Sequence, residues 1–281
     1  MFNISYFAPA KLSEALEYLY EHKEAKVLAG GTDLIAKWKK IGHPDMELLD
    51  IRNIENFAEI SEGKDGLFIG AGAKMAAVQY NSAVNEKFPI LAWAASVVGS
   101  VQVRNLATIG GNICNAAPSA DTVTPLIVYG AEAVIVSKKG ERRCLVKDFF
   151  TGPGKTVLQS GELLKGFVLP YPEKGSKAAF SKHGRRIGMD LATVGVAVNA
   201  CVDGGKIKDV KVALGAVGPT PIYVTGLEKF AGAMANEAAA EEIAALAEKQ
   251  AKPITDVRGT EEYRKDMVYE NVRKCLKKAF A

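Results

Sequence analysis

The sequence is poor in features that mark several large classes of protein. It holds four cysteines in 281 residues, Cys114, Cys144, Cys201 and Cys275, and none forms a C-x-x-C pair. That spacing argues against a metal site or an iron–sulfur cluster held within this chain, and it suits a reducing cytoplasm. The three histidines, His22, His43 and His183, each stand alone in their segments. Each reads as a surface or internally satisfied side chain rather than a catalyst. No apolar run reaches the roughly 18 residues of a membrane span. The longest, residues 89–99, is interrupted by Ser96. The opening residues 1–7 lack a basic stretch followed by an apolar one, so no secretory signal is expected. Net charge is only +4, and lysines cluster at 37–40 and 274–278 without an aromatic stripe between the two clusters. They read as solvated helix faces, which argues against a nucleic-acid surface.

What is present suits a globular protein of one large or two ordinary domains, because 48% hydrophobic and 24% charged residues leave no segment disordered by composition. Hydrophobic periodicity predicts strands over 2–7, 27–29, 46–51, 67–71, 133–136, 142–146 and 163–169. It predicts helices over 12–22, 34–40, 74–84, 89–99 and 122–129. Composition changes at Tyr171-Pro172-Glu173-Lys174-Gly175-Ser176-Lys177, the expected domain boundary. Beyond it, strands are expected over 178–182, 192–202 and 210–217, with Asp203-Gly204-Gly205 as a hairpin turn. Two helices end the chain, over 237–249 and 261–279. The second carries Val268, Val272, Cys275, Leu276 and Ala279 on one stripe, as core packing requires.

The most unusual stretch is Arg104–Asp121. Gly110-Gly111 follows Thr108-Ile109, and Asn112, Asn115, Pro118, Ser119 and Asp121 come after. That density of glycine and short polar residues predicts a loop rather than a packed helix, with free N–H groups that bind oxygen. A second glycine pair closes the short strand at 27–29: Gly30-Gly31-Thr32-Asp33 leads into Leu34 and a helix. Thr32 or Asp33 is expected to cap that helix and leave bare N–H donors, an anion site; an ordinary tight turn is the alternative. Ser119 or Asp121 is the expected cap of the helix at 122–129. Two nucleotide motifs fail on inspection. Gly70-Ala71-Gly72 has Met75 where a Rossmann loop needs its third glycine, and Gly154-Lys155-Thr156 has Phe149 where a P-loop needs its first. No nucleophile elbow is present.

The pair of motifs, Val27-Leu28-Ala29-Gly30-Gly31-Thr32-Asp33-Leu34 and Thr108-Ile109-Gly110-Gly111-Asn112-Ile113-Cys114-Asn115, resembles the FAD-binding, medium subunit of the xanthine dehydrogenase and carbon monoxide dehydrogenase family of molybdenum hydroxylases. The resemblance covers essentially the whole chain. It implies an α+β fold with a two-part FAD-binding domain over 1–172: a small αβ subdomain at 1–55 and a mixed-sheet subdomain at 56–172. A C-terminal domain over 173–281 follows, a three-stranded antiparallel sheet with helices. By the same resemblance, Val27, Leu28, Ala29, Gly30, Gly31, Thr32, Asp33 and Leu34 wrap the FAD pyrophosphate. Thr108, Ile109, Gly110, Gly111 and Asn112 hold the pyrophosphate and flavin region. Asp121 is matched to a contact on the ribose or adenine side, and Glu162-Leu163-Leu164 points to Leu164. The pattern Phe180, Lys182, Arg186 places Lys182 near the isoalloxazine, and Tyr263-Arg264 fits the family's C-terminal domain. Neither glycine motif contains a cation, so backbone amides are expected to carry the phosphate.

The family is a three-part enzyme, and the expectations for this chain follow from it. A molybdopterin subunit hydroxylates the substrate, and a small subunit passes electrons through 2Fe–2S clusters. This chain then holds FAD and delivers electrons to NAD+ or another acceptor. It needs no acid–base residue and no metal of its own. The segment Ile113-Cys114-Asn115-Ala116 resembles the purine (xanthine) type more than the carbon monoxide type, and nothing supplies the cysteine-bearing insertion of the 4-hydroxybenzoyl-CoA reductase branch. Two rivals are a reductase of the UDP-N-acetylenolpyruvoylglucosamine reductase type, for which no proton donor is evident, and a non-catalytic assembly module.

Overall fold

A computed structural model describes residues 4–42, 45–186 and 188–281. His43 therefore lies outside the described residues. The chain begins with β1 (Ile4–Phe7), α1 (Leu12–Glu21), β2 (Lys26–Leu28), α2 (Leu34–Lys40) and β3 (Met46–Asp50). The three strands form a parallel sheet in the order β1-β3-β2. Helical crossovers are what parallel pairing requires, and α1 and α2 supply them. Ala15 and Leu19 of α1 are buried against this sheet and the core beyond it.

The second part contains β4 (Ile60–Gly63), β5 (Gly66–Gly70), then six short helices: α3 (Met75–Tyr80), α4 (Ser82–Lys87), α5 (Pro89–Ser96), α6 (Val101–Arg104), α7 (Ile109–Cys114) and α8 (Val123–Val128). β6 (Glu132–Ser137), β7 (Gly140–Leu145), the small hairpin β8 (Phe150–Gly152) and β9 (Lys155–Thr156), and β10 (Leu163–Leu169) complete it. The five-stranded sheet runs β4-β5-β10-β6-β7, and every pairing is antiparallel where a mixed sheet was expected. The turn at Lys138-Lys139 is too short for anything but an antiparallel β6–β7 pair. β10 then enters between β5 and β6, running opposite to both. The single helix expected over 74–84 is broken at Asn81. Its backbone is extended there, and its side chain caps α4 by accepting from Val84 N at 3.1 Å.

The last part holds β11 (Ser176–His183), β12 (Val194–Asp203), β13 (Lys206–Gly215), β14 (Ile222–Tyr223), α9 (Glu237–Gln250) and α10 (Glu261–Phe280). The three long strands are antiparallel, as expected, and the two-residue β14 adds a fourth at the edge. β12 is apolar almost throughout because both faces of this sheet are covered. Phe180, Ala197 and Ala213 are cross-strand partners and pack into the core of the preceding part. The next row, Ala179, Val198 and Val212, faces a second core that includes Val268, Val272, Cys275, Leu276 and Ala279 of α10. No helix among the described residues is long and apolar enough to cross a membrane, and no cluster of metal-ligating side chains is found among them.

Candidate functional site

β2 stops at Leu28, and Gly31 turns the chain with φ of +71°. That left-handed geometry favours glycine over any residue with a Cβ. Gly30 is glycine for a different reason: a Cβ there would lie 2.2 Å from the Leu106 carbonyl oxygen and 2.8 Å from Ala107 Cα. The close approach is made by the chain's own backbone. The expected side-chain cap is absent: Asp33 is itself helical in backbone, and no side chain accepts from the first turn of α2. The N–H groups of Gly30, Gly31, Thr32 and Asp33 have no protein acceptor among the described residues. The first turn of a helix leaves such donors without intrahelical partners, and no side-chain cap takes them up here.

The second motif is built the opposite way. Residues 109–114 are helical, contrary to the loop expected there, and Thr108 Oγ1 caps α7 by accepting from Gly111 N at 3.0 Å. Ile109 N donates to Ala73 O, Gly110 N to Ala71 O and Asn112 N to Thr108 O, all at 2.9–3.0 Å. The helix forms despite its glycines because it crosses the chain at Ala71. A Cβ on Gly110 would sit 2.5 Å from Ala71 Cβ. No free N–H therefore remains at Ile109 to Asn112, and this motif offers side chains instead. Asn112 Oδ1 accepts from Thr122 Oγ1 at 2.7 Å, which leaves the Asn112 amide donors uncommitted.

The two motifs face each other across a cleft of about 310 Å³. It is lined by Val27, Ala29, Gly30, Gly31, Thr32, Asp33 and Leu34 on one side, and by Thr108, Gly110, Gly111 and Asn112 on the other. Leu164 also lines it, at a register shift of β10. Ile51, which directly follows β3, brings the cleft to the carboxyl ends of the parallel strands, where open α/β sheets bind ligands. Leu28 and Ile109 are turned into the core and do not line it. Sequence reasoning missed Val98, Lys37, Asn115, Cys114 and Glu162, which do. Lys37 stands one helical turn after Asp33, a spacing that shares a face but does not by itself point to a ligand. Val98 carried no signal. Burial pushes the Cys114 thiol up to about 12, away from the thiolate form.

Asp121 and Lys182 are brought together, but not into this cleft. Lys182 Nζ lies 2.7 Å from Asp121 Oδ2 and donates to Val97 O at 2.9 Å. Asp121 therefore does not cap α8, whose first turn receives no side-chain acceptor. Its Oδ1 is buried without a partner. Burial pushes the Asp121 carboxyl up to about 6, against the pull of the Lys182 ammonium. Lys182 lines a second cleft of about 720 Å³ with Trp93, Arg104, Arg185, Arg186 and Met189. The segment Val97–Arg104 divides the two: Val98 and Val103 face the first, Val97, Gly99 and Arg104 the second. Phe180 is buried edge-on to Trp93. His183 Nε2 lies 2.7 Å from Tyr263 Oη, and His22 stacks on Tyr18. Arg264 is buried and bonds Thr193 O, Ala216 O and Asp256.

With this geometry in hand, the comparisons are direct. Residues 2–172 match the sequence family described as the FAD binding domain in molybdopterin dehydrogenase. Residues 178–279 match the CO dehydrogenase flavoprotein C-terminal domain. The chain is 33% identical to the xanthine dehydrogenase FAD-binding subunit of Escherichia coli O157:H7, over 99% of this chain and 96% of the relative. It is also 33% identical to the glyceraldehyde dehydrogenase medium chain of Sulfolobus acidocaldarius, over 97% of both. Among solved structures, a carbon monoxide dehydrogenase from Hydrogenophaga pseudoflava superimposes with a TM-score of 0.95 at 30% identity, covering 99% of this chain and 97% of that one.

Proposed function

The chain belongs to the family of FAD-binding subunits of the molybdopterin dehydrogenases, oxidoreductases, and from that premise we propose how it works and with what. FAD is its cofactor. The observation that carries the site assignment is the run of N–H groups from Gly30 to Asp33, unpaired among the described residues, along one wall of the cleft. Such a run fits a pyrophosphate, whose oxygens accept several backbone donors at once. Thr108 and Asn112 supply polar side chains from the opposite wall, and Leu164 packs against the flavin end. Leu28 and Ile109 hold the two walls in the core through their buried side chains. The Asp121–Lys182 pair stands outside this cleft, beyond the Val97–Arg104 segment, and Lys182 supplies positive charge from the second cleft. Bound FAD supplies the redox chemistry, and this chain supplies position, electrostatics and access.

Electrons reach this subunit from the iron–sulfur clusters of a small partner and originate at a molybdopterin partner. They leave to NAD+ or another acceptor. The second cleft supports a nucleotide acceptor, since Arg104, Arg185 and Arg186 beside Trp93 suit an anionic, planar ligand. A purine substrate, of the xanthine type, is our reading for the molybdopterin partner. Relatives at equal identity act on xanthine and on glyceraldehyde, by their names, so overall identity does not rank the substrates. The division of the chain at residue 172 is part of the same reading.

The purified chain is expected to be yellow and to release FAD on denaturation. A colourless, folded preparation that takes up no added FAD would sink the assignment. Co-purification from the native host tests the partners, since molybdenum and iron–sulfur subunits should accompany this chain. Assay of that complex on purines with NAD+ tests substrate and acceptor together.

A further inference from the structure

The first cleft contains a charge problem that its backbone donors do not solve. Its ionisable walls are Asp33, Lys37 and Glu162, apart from the half-buried thiol of Cys114. Glu162 is neutralised by Arg142, with Nε to Oε1 at 2.7 Å and Nη2 to Oε2 at 2.6 Å. Asp33 has no cationic partner within ion-pair distance among the described residues. A pyrophosphate placed against the Gly30–Asp33 donors would meet that carboxylate. Lys37 is the one cationic side chain among the described residues that line this cleft. It sits one helical turn beyond Asp33, on the same face of α2, and its N–H bonds to Asp33 O.

The ammonium of Lys37 is held in a telling place. It donates to Oδ1 of Asn115, the residue that ends α7, and so bridges the mouth of the cleft from one motif to the other. Its acceptor is a neutral amide, and no carboxylate lies within ion-pair distance of it. A phosphate oxygen makes a stronger, charge-assisted bond with the same ammonium, so the exchange is favourable. We propose that Lys37 and Asn115 form a clasp over the cofactor cleft. Asn115 holds the ammonium at the mouth in the free chain, and Lys37 transfers to a phosphate oxygen of the dinucleotide on binding. This rests on the FAD reading of the cleft, and it adds a cation to a site whose two glycine motifs contain none.

The test is a fluorescence titration of FAD into the deflavinated full chain and its variants, at low and high salt. Lys37→Met should weaken FAD binding by about 10- to 100-fold, the range for losing a hydrogen bond to a charged group. It should also flatten the salt dependence. Lys37→Arg should restore most of the affinity and the salt dependence. Asn115→Ala should bind FAD as tightly as wild type or more tightly, because the competing acceptor is gone. The thermal midpoints of the apo variants should match wild type. FAD affinity and salt dependence unchanged in Lys37→Met, with wild type binding FAD, would overturn the clasp and leave the cofactor assignment standing. The clasp is equally overturned if Lys37→Arg binds as poorly as Lys37→Met. A wild-type chain that takes up no FAD would overturn the cofactor assignment itself, and the clasp with it.

Discussion

The two glycine motifs look alike as sequence and solve opposite problems as structure. Val27–Leu34 leaves four N–H groups without acceptors among the described residues, whereas in Thr108–Asn112 the donors from Ile109 to Asn112 are all spent on Ala73, Ala71 and Thr108. One motif is an open row of donors. The other is a capped helix welded to the strand-end at Ala71. Their glycines differ in the same way, since Gly30 and Gly110 are needed where the protein touches itself, and Gly111 has only Thr108 Oγ1, at 3.0 Å, near its missing Cβ. A glycine pair thus marks close backbone approach without saying which body approaches.

The largest effects should come from the self-contacts. Gly30→Ala and Gly110→Ala each force a Cβ into backbone, at 2.2 Å from Leu106 O and 2.7 Å from Ala71 O. Each should destabilise the apo chain by about 3 kcal/mol, the upper part of the usual overpacking range, and flavin content should fall as a consequence. Thermal denaturation of the apo proteins decides the matter. If Gly110→Ala lost flavin with no change in midpoint, the second motif would be a ligand loop after all.

Gly111→Val separates the two uses of glycine within one motif. Its Cβ meets no backbone, so the apo chain should lose only about 1 kcal/mol, mostly through the disturbed Thr108 cap. FAD binding should nevertheless be abolished, because the branched side chain enters the cleft. Normal flavin content in this variant would remove Gly111 from the site.

Much of this was legible in the sequence, and the boundary of legibility is physical. The strands at 46–50, 132–137, 163–169 and 194–215 and the α10 stripe declare themselves by periodicity, because each buries a face set by its own spacing. β4, β8 and β9 carry no such pattern, since they are two to four residues long and none of their residues is buried. The helix α7 was hidden because its propensity is poor and its stability comes from contacts with residues 71–75, far away in sequence. Lys37 read as a solvated lysine, and only the meeting of α2 with Asn115 places it over the cleft. Asp121 read as a cap because the cap position is local, while Lys182 is 61 residues away.

Charge offers the next contrast. Asp33, in the open motif, is exposed; Asp121, just past the closed one, is largely buried and raised to about 6. Raised above its unfolded value of about 4, Asp121 binds a proton in the folded chain that the unfolded chain has lost. Its contribution is therefore fully favourable below about pH 4 and declines as pH rises to about 6, by about 2 kcal/mol. Asp256 has the opposite sign. Arg258 and Arg264 hold its carboxyl well below the usual range, so its contribution is present above about pH 4 and lost on acidification. Chemical denaturation from pH 4 to 7, wild type against Asp121→Asn, subtracts Asp256 and isolates Asp121. A flat difference would mean that Lys182 keeps the carboxylate charged throughout.

The smallest effect is the sharpest on what the closed motif contributes. Thr108 Oγ1 already accepts from Gly111 N, yet a hydroxyl has a second lone pair and a proton to donate. Thr108→Ala should cost the apo chain about 1 kcal/mol, the usual value of an N-cap. If the hydroxyl proton also reaches the cofactor, FAD affinity should fall about fivefold, as for one neutral hydrogen bond. Thr108→Ser should restore both quantities, since it keeps the cap oxygen and its proton. A Thr108→Ala chain that loses stability but binds FAD as wild type does would leave Thr108 a cap alone. The closed motif would then reach the cofactor through Asn112 and the Gly111 backbone surface, and the open motif would carry the phosphate with the help of Lys37.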